Sequence, residues 1–312
     1  MSCDWGTSAC ASSSSPLAAA AAPALWRYNR TICTGLGDRL GALLTVAALA
    51  HVARVEVEME WCDDPSAVYP QMRSVTAAWA GYNYPLDHFL QAFEIPPNIR
   101  LVPRYSSAAL PEISYMGNEL PSEEARDQLY TLAHRTTRLG QHSTRSEDFV
   151  RAYHVVGAQL KPKVPRPGGH VVLHMRAWDK HTFAYDWNPS LFCTRKVVSS
   201  ALKLGLEVLA ISNDLAWARK ELRGLGVTFT EGTAFEDMAL MLSAAGIIQH
   251  APPGYSSYSN VPSMAKGTPL ISTYKAHYHR FKLFLEAGGE LPNEFYTCSA
   301  RKAFLARVAL QS

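Results

Sequence analysis

From His170 to Thr273 short apolar runs alternate with longer amphipathic ones, and this alternation restricts the possible fold more than any other feature of the chain. His170–His174, Glu207–Ile211, Val227–Thr230, Gly246–His250 and Pro269–Thr273 read as strands. Ser190–Leu204, Leu215–Leu225, Ala234–Ala244 and Tyr258–Lys266 lie between them as helices. A strand followed by one helix and another strand returns to the sheet in the same direction. The pattern therefore predicts a parallel, doubly wound α/β sheet. No repeat with a period of about 20 to 50 residues occurs, which removes solenoids and propellers.

The 312 residues leave room for a second domain ahead of that sheet. Residues 1–25 are rich in Ser and Ala and are expected to be a disordered leader. Leu17–Leu25 is apolar, but Pro23 interrupts it and Asp4 precedes it, so it makes a poor signal peptide. Arg27–Thr34 then leads into a glycine loop, Gly35-Leu36-Gly37-Asp38-Arg39-Leu40-Gly41. An Ala/Leu-rich helix follows at Ala42–Ala53, and a strand at Arg54–Trp61. In that strand Val55, Val57 and Met59 alternate with Glu56, Glu58 and Glu60, which predicts one face on a core and one toward solvent or a polar cleft.

Seven prolines between Pro65 and Pro111 break the next stretch into short pieces, as expected of acceptor-shaping loops. Helices are expected at Ser122–Arg138 and Ser146–Leu160. Lys161–Gly169, with three prolines and two glycines, reads as a linker. The expected division is thus a leader (1–25), an N-terminal α/β domain (26–160), the linker (161–169), a Rossmann-like domain (170–275) and a helical tail (276–312).

Composition excludes several classes. Thirty basic residues against 27 acidic ones give a net charge of only +3, with no basic stripe, so no nucleic-acid partner is expected. The six cysteines show no CxxC pair and no zinc spacing. No run of 18 or more apolar residues predicts a membrane span. Walker A, HExxH, GxSxG and kinase signatures are missing. The compartment stays open. An even cysteine count and the sequon at Asn29 suit a secretory lumen, and a soluble cytoplasmic chain is equally compatible with the rest.

In open α/β sheets ligands sit beyond the carboxyl ends of the strands, and four such ends here carry reactive side chains. They are His174-Met175-Arg176-Ala177-Trp178-Asp179-Lys180, Ser212-Asn213-Asp214, Thr230-Glu231-Gly232, and the loop from His250 to Asn260 with Gly254, Ser256, Ser257 and Ser259. An arginine at a strand end is suited to a diphosphate, because its planar fork meets two phosphate oxygens at once. A serine-rich turn opening a helix adds hydroxyl and backbone donors. The plainer reading is a satisfied buried histidine, an Arg176–Asp179 surface pair and a solvated turn.

These motifs, in this order, resemble the inverting two-domain fucosyltransferase superfamily, which includes the α1,6-, chitooligosaccharide and protein O-fucosyltransferases. The matching elements are the glycine-rich loop and helix at Gly35–Val52 and a strand ending in H-x-R-R-x-D, which here reads His174 to Asp179. Ser212–Asp214, the helix Phe235-Glu236-Asp237-Met238 and the loop and helix of Ile247–Ala265 follow. The resemblance implies a GT-B fold, α/β with two Rossmann-like domains facing each other across a cleft. It also implies metal-independent transfer of fucose from GDP-fucose to a glycan or protein acceptor, with no cofactor. The absence of a D-x-D motif agrees.

Carried over by motif, Arg176 is the catalytic contact to the donor phosphates and His174 lies nearer the nucleotide. Asp237 binds base or ribose, and Ser256 or Ser257 approaches the phosphates. Gly35, Gly37, Asp38, Arg39, Asp179 and Ser212 complete the implied donor site. For the general base the chain offers Asp179 or Asp186, of which Asp186 is taken as the candidate, against a plainer role as a turn or cap. The motif's second arginine is Ala177 here. That departure keeps two alternatives open: a transferase using another nucleotide sugar, and a non-catalytic nucleotide- or glycan-binding relative.

Overall fold

The computed structural model describes residues 25–28, 35–63, 84–104, 109–113, 146–164, 168–177, 191–251, 256–273 and 295–312. Its N-terminal half comprises β1 (Leu25–Tyr28), α1 (Leu36–Ala53), β2 (Glu56–Glu60), α2 (Leu86–Ala92), β3 (Phe93–Glu94), β4 (Ile99–Val102), β5 (Glu112–Ile113) and α3 (Ser146–Gln159). Four of these strands form a parallel sheet ordered β4-β2-β1-β5.

After β6 (Lys161–Pro162) come β7 (His170–Met175), α4 (Leu191–Lys203), β8 (Glu207–Ser212), α5 (Leu215–Glu221), β9 (Thr228–Phe229) and α6 (Ala234–Leu242). β10 (Gly246–His250), α7 (Ser257–Lys266), β11 (Leu270–Ser272), β12 (Phe295–Thr297) and α8 (Arg301–Ala309) complete the chain. The second sheet, β12-β11-β10-β7-β8-β9, is parallel throughout. Every residue of β7 and β10 is buried, as expected of central strands covered by helices on both faces.

The halves meet through helices. α1 and α3 pack on α7, and α2 packs on α6, so one continuous apolar core runs from Tyr28 through Val156 to Leu270. A second core fills the outer face of the C-terminal sheet, under α4, α5 and α8. Gly157 of α3 lies so close to α7 that a Cβ there would come within 2.6 Å of the Ala265 carbonyl oxygen. Lys266 Nζ donates to Gly157 O at 2.9 Å and Ala158 O at 3.2 Å, a cation on the carbonyl end of α3. Burial, reinforced by Lys161, lowers this ammonium to about 8.

Several elements differ from expectation. β1 occupies residues where no strand was expected, Leu25 having been assigned to the leader, and it is an inner strand of the N-terminal sheet. α1 begins at Leu36, so Gly37 and Gly41 stand inside a helix and not in an open loop. That helix is long and apolar enough to cross a membrane, yet 67% of it is buried in the core. β2 is flanked by β1 and β4, which buries Glu58 to 2% exposure, 3.8 Å from Arg27, where alternation predicted a wetter face.

The expected linker contributes β6, paired antiparallel with β3. Among the described residues of the expected helical tail, a strand, β12, precedes α8. Cys193 of α4 and Cys298 after β12 form a disulfide, which cysteine spacing did not predict. The expected helix at Ser122–Arg138 and the leader up to residue 24 lie outside the described residues.

Candidate functional site

Strand order locates the site. β7 starts the C-terminal sheet, β8 and β9 extend it to one side, and β10, β11 and β12 to the other. The direction of winding reverses between β7 and β10, and at such a reversal the flanking loops part to leave a crevice at the carboxyl ends. His174 stands beside Gln249 in that register, and Met175 beside His250. Arg176 follows directly, its backbone N–H donating to His250 O at 2.9 Å.

His174 is 3% exposed, and its Nδ1 lies 2.9 Å from Ser259 Oγ. Burial, then the nearby Arg176 and His250, lower its pKa to about 3, so it is a neutral imidazole beside a guanidinium. Arg176 is half-buried and also within electrostatic reach of Tyr258. Ala177, where the resembling motif has its second arginine, is clamped by Asn213. Asn213 Oδ1 accepts from Ala177 N–H, and Asn213 Nδ2 donates to Ala177 O, both at 2.8 Å. Those two bonds fix the backbone immediately after Arg176.

The amino-terminal turn of α7 reaches the same place. Ser256 is its N-cap residue and makes no side-chain capping bond. Gln249 Nε2 holds the turn to the sheet, donating to Ser259 Oγ and Asn260 Oδ1, both at 2.7 Å. Tyr258 ties it to α6, donating to Ala234 O at 2.5 Å. The Tyr258 hydroxyl stays protonated well above 10, through burial first and then through Asp237 and Tyr84.

Asp237 lies in the first turn of α6, started by a capping box between Thr233 and Glu236. It accepts from Thr230 Oγ1 at 3.1 Å. A cavity of about 440 Å³ opens beside it and runs from Thr230 and Gly232 back to Gly168, His170 and Glu207 at the amino ends of β7 and β8, apart from His174 and Arg176.

From the N-terminal half, α1 brings Gly37, Asp38 and Arg39 to the seam. Gly37 lies against the Ser257–Tyr258 backbone of α7. Arg39 is 1% exposed, donates to Cys62 O, and stacks 4.9 Å from the ring of Tyr84 and 5.4 Å from that of Trp61. Burial lowers this guanidinium to about 10, and Tyr84 and Asp63 counter that shift, so it stays cationic. Tyr84 reaches across to Phe235 of α6, with ring centroids 5.8 Å apart.

The structure thus gathers His174, Arg176, Ser256, Ser257 and Asp237 around the first turn of α7, with Gly37 packed against that turn and Asp38 next to it in α1, while Arg39 is buried under Tyr84 and Trp61. Gly35 is the N-cap of α1. Ser212 sits on the β8 side, accepting from Asp214 N–H at 3.0 Å. Asp179 and Asp186 lie outside the described residues. Asn213 belongs to the Ser212–Asp214 strand end singled out from the sequence, whereas Gln249, Tyr84 and Tyr258 were missed. Gln249 could have been noticed as an amide inside an otherwise apolar run, while the others have no local signature.

Compared with solved structures, the chain matches the E. coli heptosyltransferase WaaC with ADP at a TM-score of 0.50 and 10% identity, over 91% of this chain and 99% of that one. It also matches the fucosyltransferase NodZ from Bradyrhizobium at a TM-score of 0.42 and 13% identity, over 77% and 92%. A third match is the iron-containing dodecameric glycosyltransferase TibC from enterotoxigenic E. coli H10407, at 0.38 and 15%, over 93% and 75%. No protein-family model and no curated protein matches the sequence. The fold is the GT-B one, α/β with two Rossmann-like domains.

Proposed function

We propose that the chain is a nucleotide-sugar glycosyltransferase that holds the donor diphosphate at the carboxyl ends of β7 and β10. The observation that carries this reading is the convergence of Arg176 and the amino-terminal turn of α7 on the crevice between those strands. A leaving nucleoside diphosphate builds negative charge, and a fixed guanidinium with a helix amino end supplies the opposing field without a metal ion. The neutral His174 adds a polar neighbour without a competing charge.

Inversion by direct displacement requires an acceptor hydroxyl to attack the anomeric carbon while a base takes its proton. Asp38, in the first turn of α1, is a half-buried carboxylate next to Gly37, which lies against the first turn of α7, so it joins Asp186 as a candidate for that role. In this reading the N-terminal half supplies the base and the C-terminal half the electrophile.

For the donor we propose GDP-fucose, with a glycan or protein acceptor, on the strength of the H-x-R and serine-loop motifs. Ala177 in place of the second arginine favours a different nucleotide sugar as the second reading. Calorimetric titration with GDP, ADP and UDP, followed by donor-hydrolysis assays, separates them. Binding without turnover of any donor would mark a non-catalytic relative. Arg176→Ala should cut donor turnover by a hundredfold or more, about 3 kcal/mol of barrier. A loss under about tenfold, ~1.4 kcal/mol, refutes the assignment. EDTA should leave activity unchanged.

A further inference from the structure

We infer that Gly37 is a positioning residue, whose bare Cα sets how deeply the first turn of α7 sits between the two halves and so where Ser256 and Ser257 meet the donor phosphates. The inference rests on the proposed function for its ligand, and on geometry for everything else. A Cβ at Gly37 would lie 2.3 Å from Tyr258 N and 2.5 Å from both Ser257 C and Tyr258 Cα. All three are backbone atoms, so no side-chain rotation relieves the contact. Either α1 and α7 separate or the turn moves.

The turn is fastened on its other sides. Gln249 and His174 hold it to β10 and β7, and Tyr258 holds it to α6. The Ser259 and Asn260 N–H groups both donate to Ser256 O, at 3.1 and 2.9 Å, closing the first helical turn. Displacing the turn would break this set of bonds, whereas Gly37 leaves them intact. One helical turn further along α1, Gly41 faces α7 more loosely, its added Cβ falling 3.3 Å from Val261 Cγ2. At the far end of α7, remote from the first turn, a Cβ at Gly157 would likewise fall against backbone, 2.6 Å from Ala265 O and 2.8 Å from its Cα. Of these three glycines two meet the backbone of α7, and only Gly37 abuts the proposed phosphate seat.

This contrast supplies the experiment. Gly37→Ala and Gly157→Ala are compared for melting temperature, for GDP, ADP and UDP affinity by calorimetry, and for hydrogen exchange at the Ser259 and Asn260 amides without ligand. Gly37→Ala is expected to weaken the preferred nucleotide by about tenfold or more and to speed that exchange. Gly157→Ala should lower the melting temperature while changing affinity by less than about threefold.

Gly41→Ala is expected to weaken binding by several-fold, and Val261→Ala added to it should restore affinity by freeing the space. If Gly37→Ala fails to fold, this pair decides the matter. The inference is overturned if Gly157→Ala weakens binding as much as Gly37→Ala, if exchange in the turn is unchanged by Gly37→Ala, or if Val261→Ala fails to rescue. A wild-type chain that binds none of the three nucleotides refutes the proposed function alone, since exchange still reads the positioning.

Discussion

Acidification should destabilise the fold through two buried histidines. Burial lowers His250 to about 4, and burial together with Arg176 and His250 lowers His174 to about 3, against an ordinary 6.5. Thr194 Oγ1 donates to Thr273 Oγ1 at 2.8 Å, and Thr273 Oγ1 donates in turn to Gln249 O at 3.2 Å. The 2.7 Å contact between His250 Nδ1 and Thr194 Oγ1 must therefore be donated by the histidine. The proton sits on Nδ1, and the buried Nε2 has no hydrogen-bond partner among the described residues to stabilise a second one.

Both folded pKa values lie below the unfolded one. The unfolded chain therefore binds the extra protons first, and stability complete above pH 6.5 is lost as pH falls toward 4 and then 3. At pH 5 each group has moved about 1.5 pH units into that window, costing roughly 2 kcal/mol each and about 4 kcal/mol together. Against a total of about 5–15 kcal/mol this is a large share. Urea unfolding of wild type at pH 7 and pH 5 measures it. In His250→Gln, the same pH step should cost about 2 kcal/mol less than in wild type. If the wild-type change is below about 1 kcal/mol, or if His250→Gln leaves it unaltered, the buried-neutral assignment is wrong.

Three further outcomes follow from particular contacts. Cys193→Ser opens a loop of 105 residues and is expected to cost about 4 to 5 kcal/mol, read as a lower urea midpoint than wild type under non-reducing conditions. Gly246→Ala would place a Cβ 2.5 Å from Val308 Cγ2 and 3.2 Å from Phe304 Cζ. It should destabilise by about 1 to 3 kcal/mol in thermal melts, and Val308→Ala should relieve much of that. Asp38→Asn, isosteric within a helix, should leave nucleotide affinity within about threefold while lowering transfer to acceptor by a hundredfold or more. Equal transfer by wild type and variant would return the base role to Asp186.

The inner strands of the C-terminal sheet, β7, β8, β10 and β11, were legible because each is a short, largely buried apolar run and the helices between are amphipathic, so burial is written locally. Gly246–His250 coincides with β10 residue for residue, and Arg176 was placed at a strand end by the same reasoning. β1 and β12 were not legible. Leu25–Tyr28 and Phe295–Thr297 are too short to show a period, and both owe their conformation to partners distant in sequence.

The sequence by itself determined the α/β class, the parallel winding and the strand-end chemistry, since these depend on residue types at neighbouring positions. Tertiary structure alone decided the roles of the glycines. Gly35, Gly37 and Gly41 look like a ligand loop in sequence, yet Gly37 and Gly41 lie within α1 and face α7, about 220 residues downstream. It likewise decided that Glu58 is buried, that Cys193 meets Cys298 and that Gln249 fastens the α7 turn. Each depends on which surfaces meet after the chain has closed on itself, and local spacing does not encode that encounter.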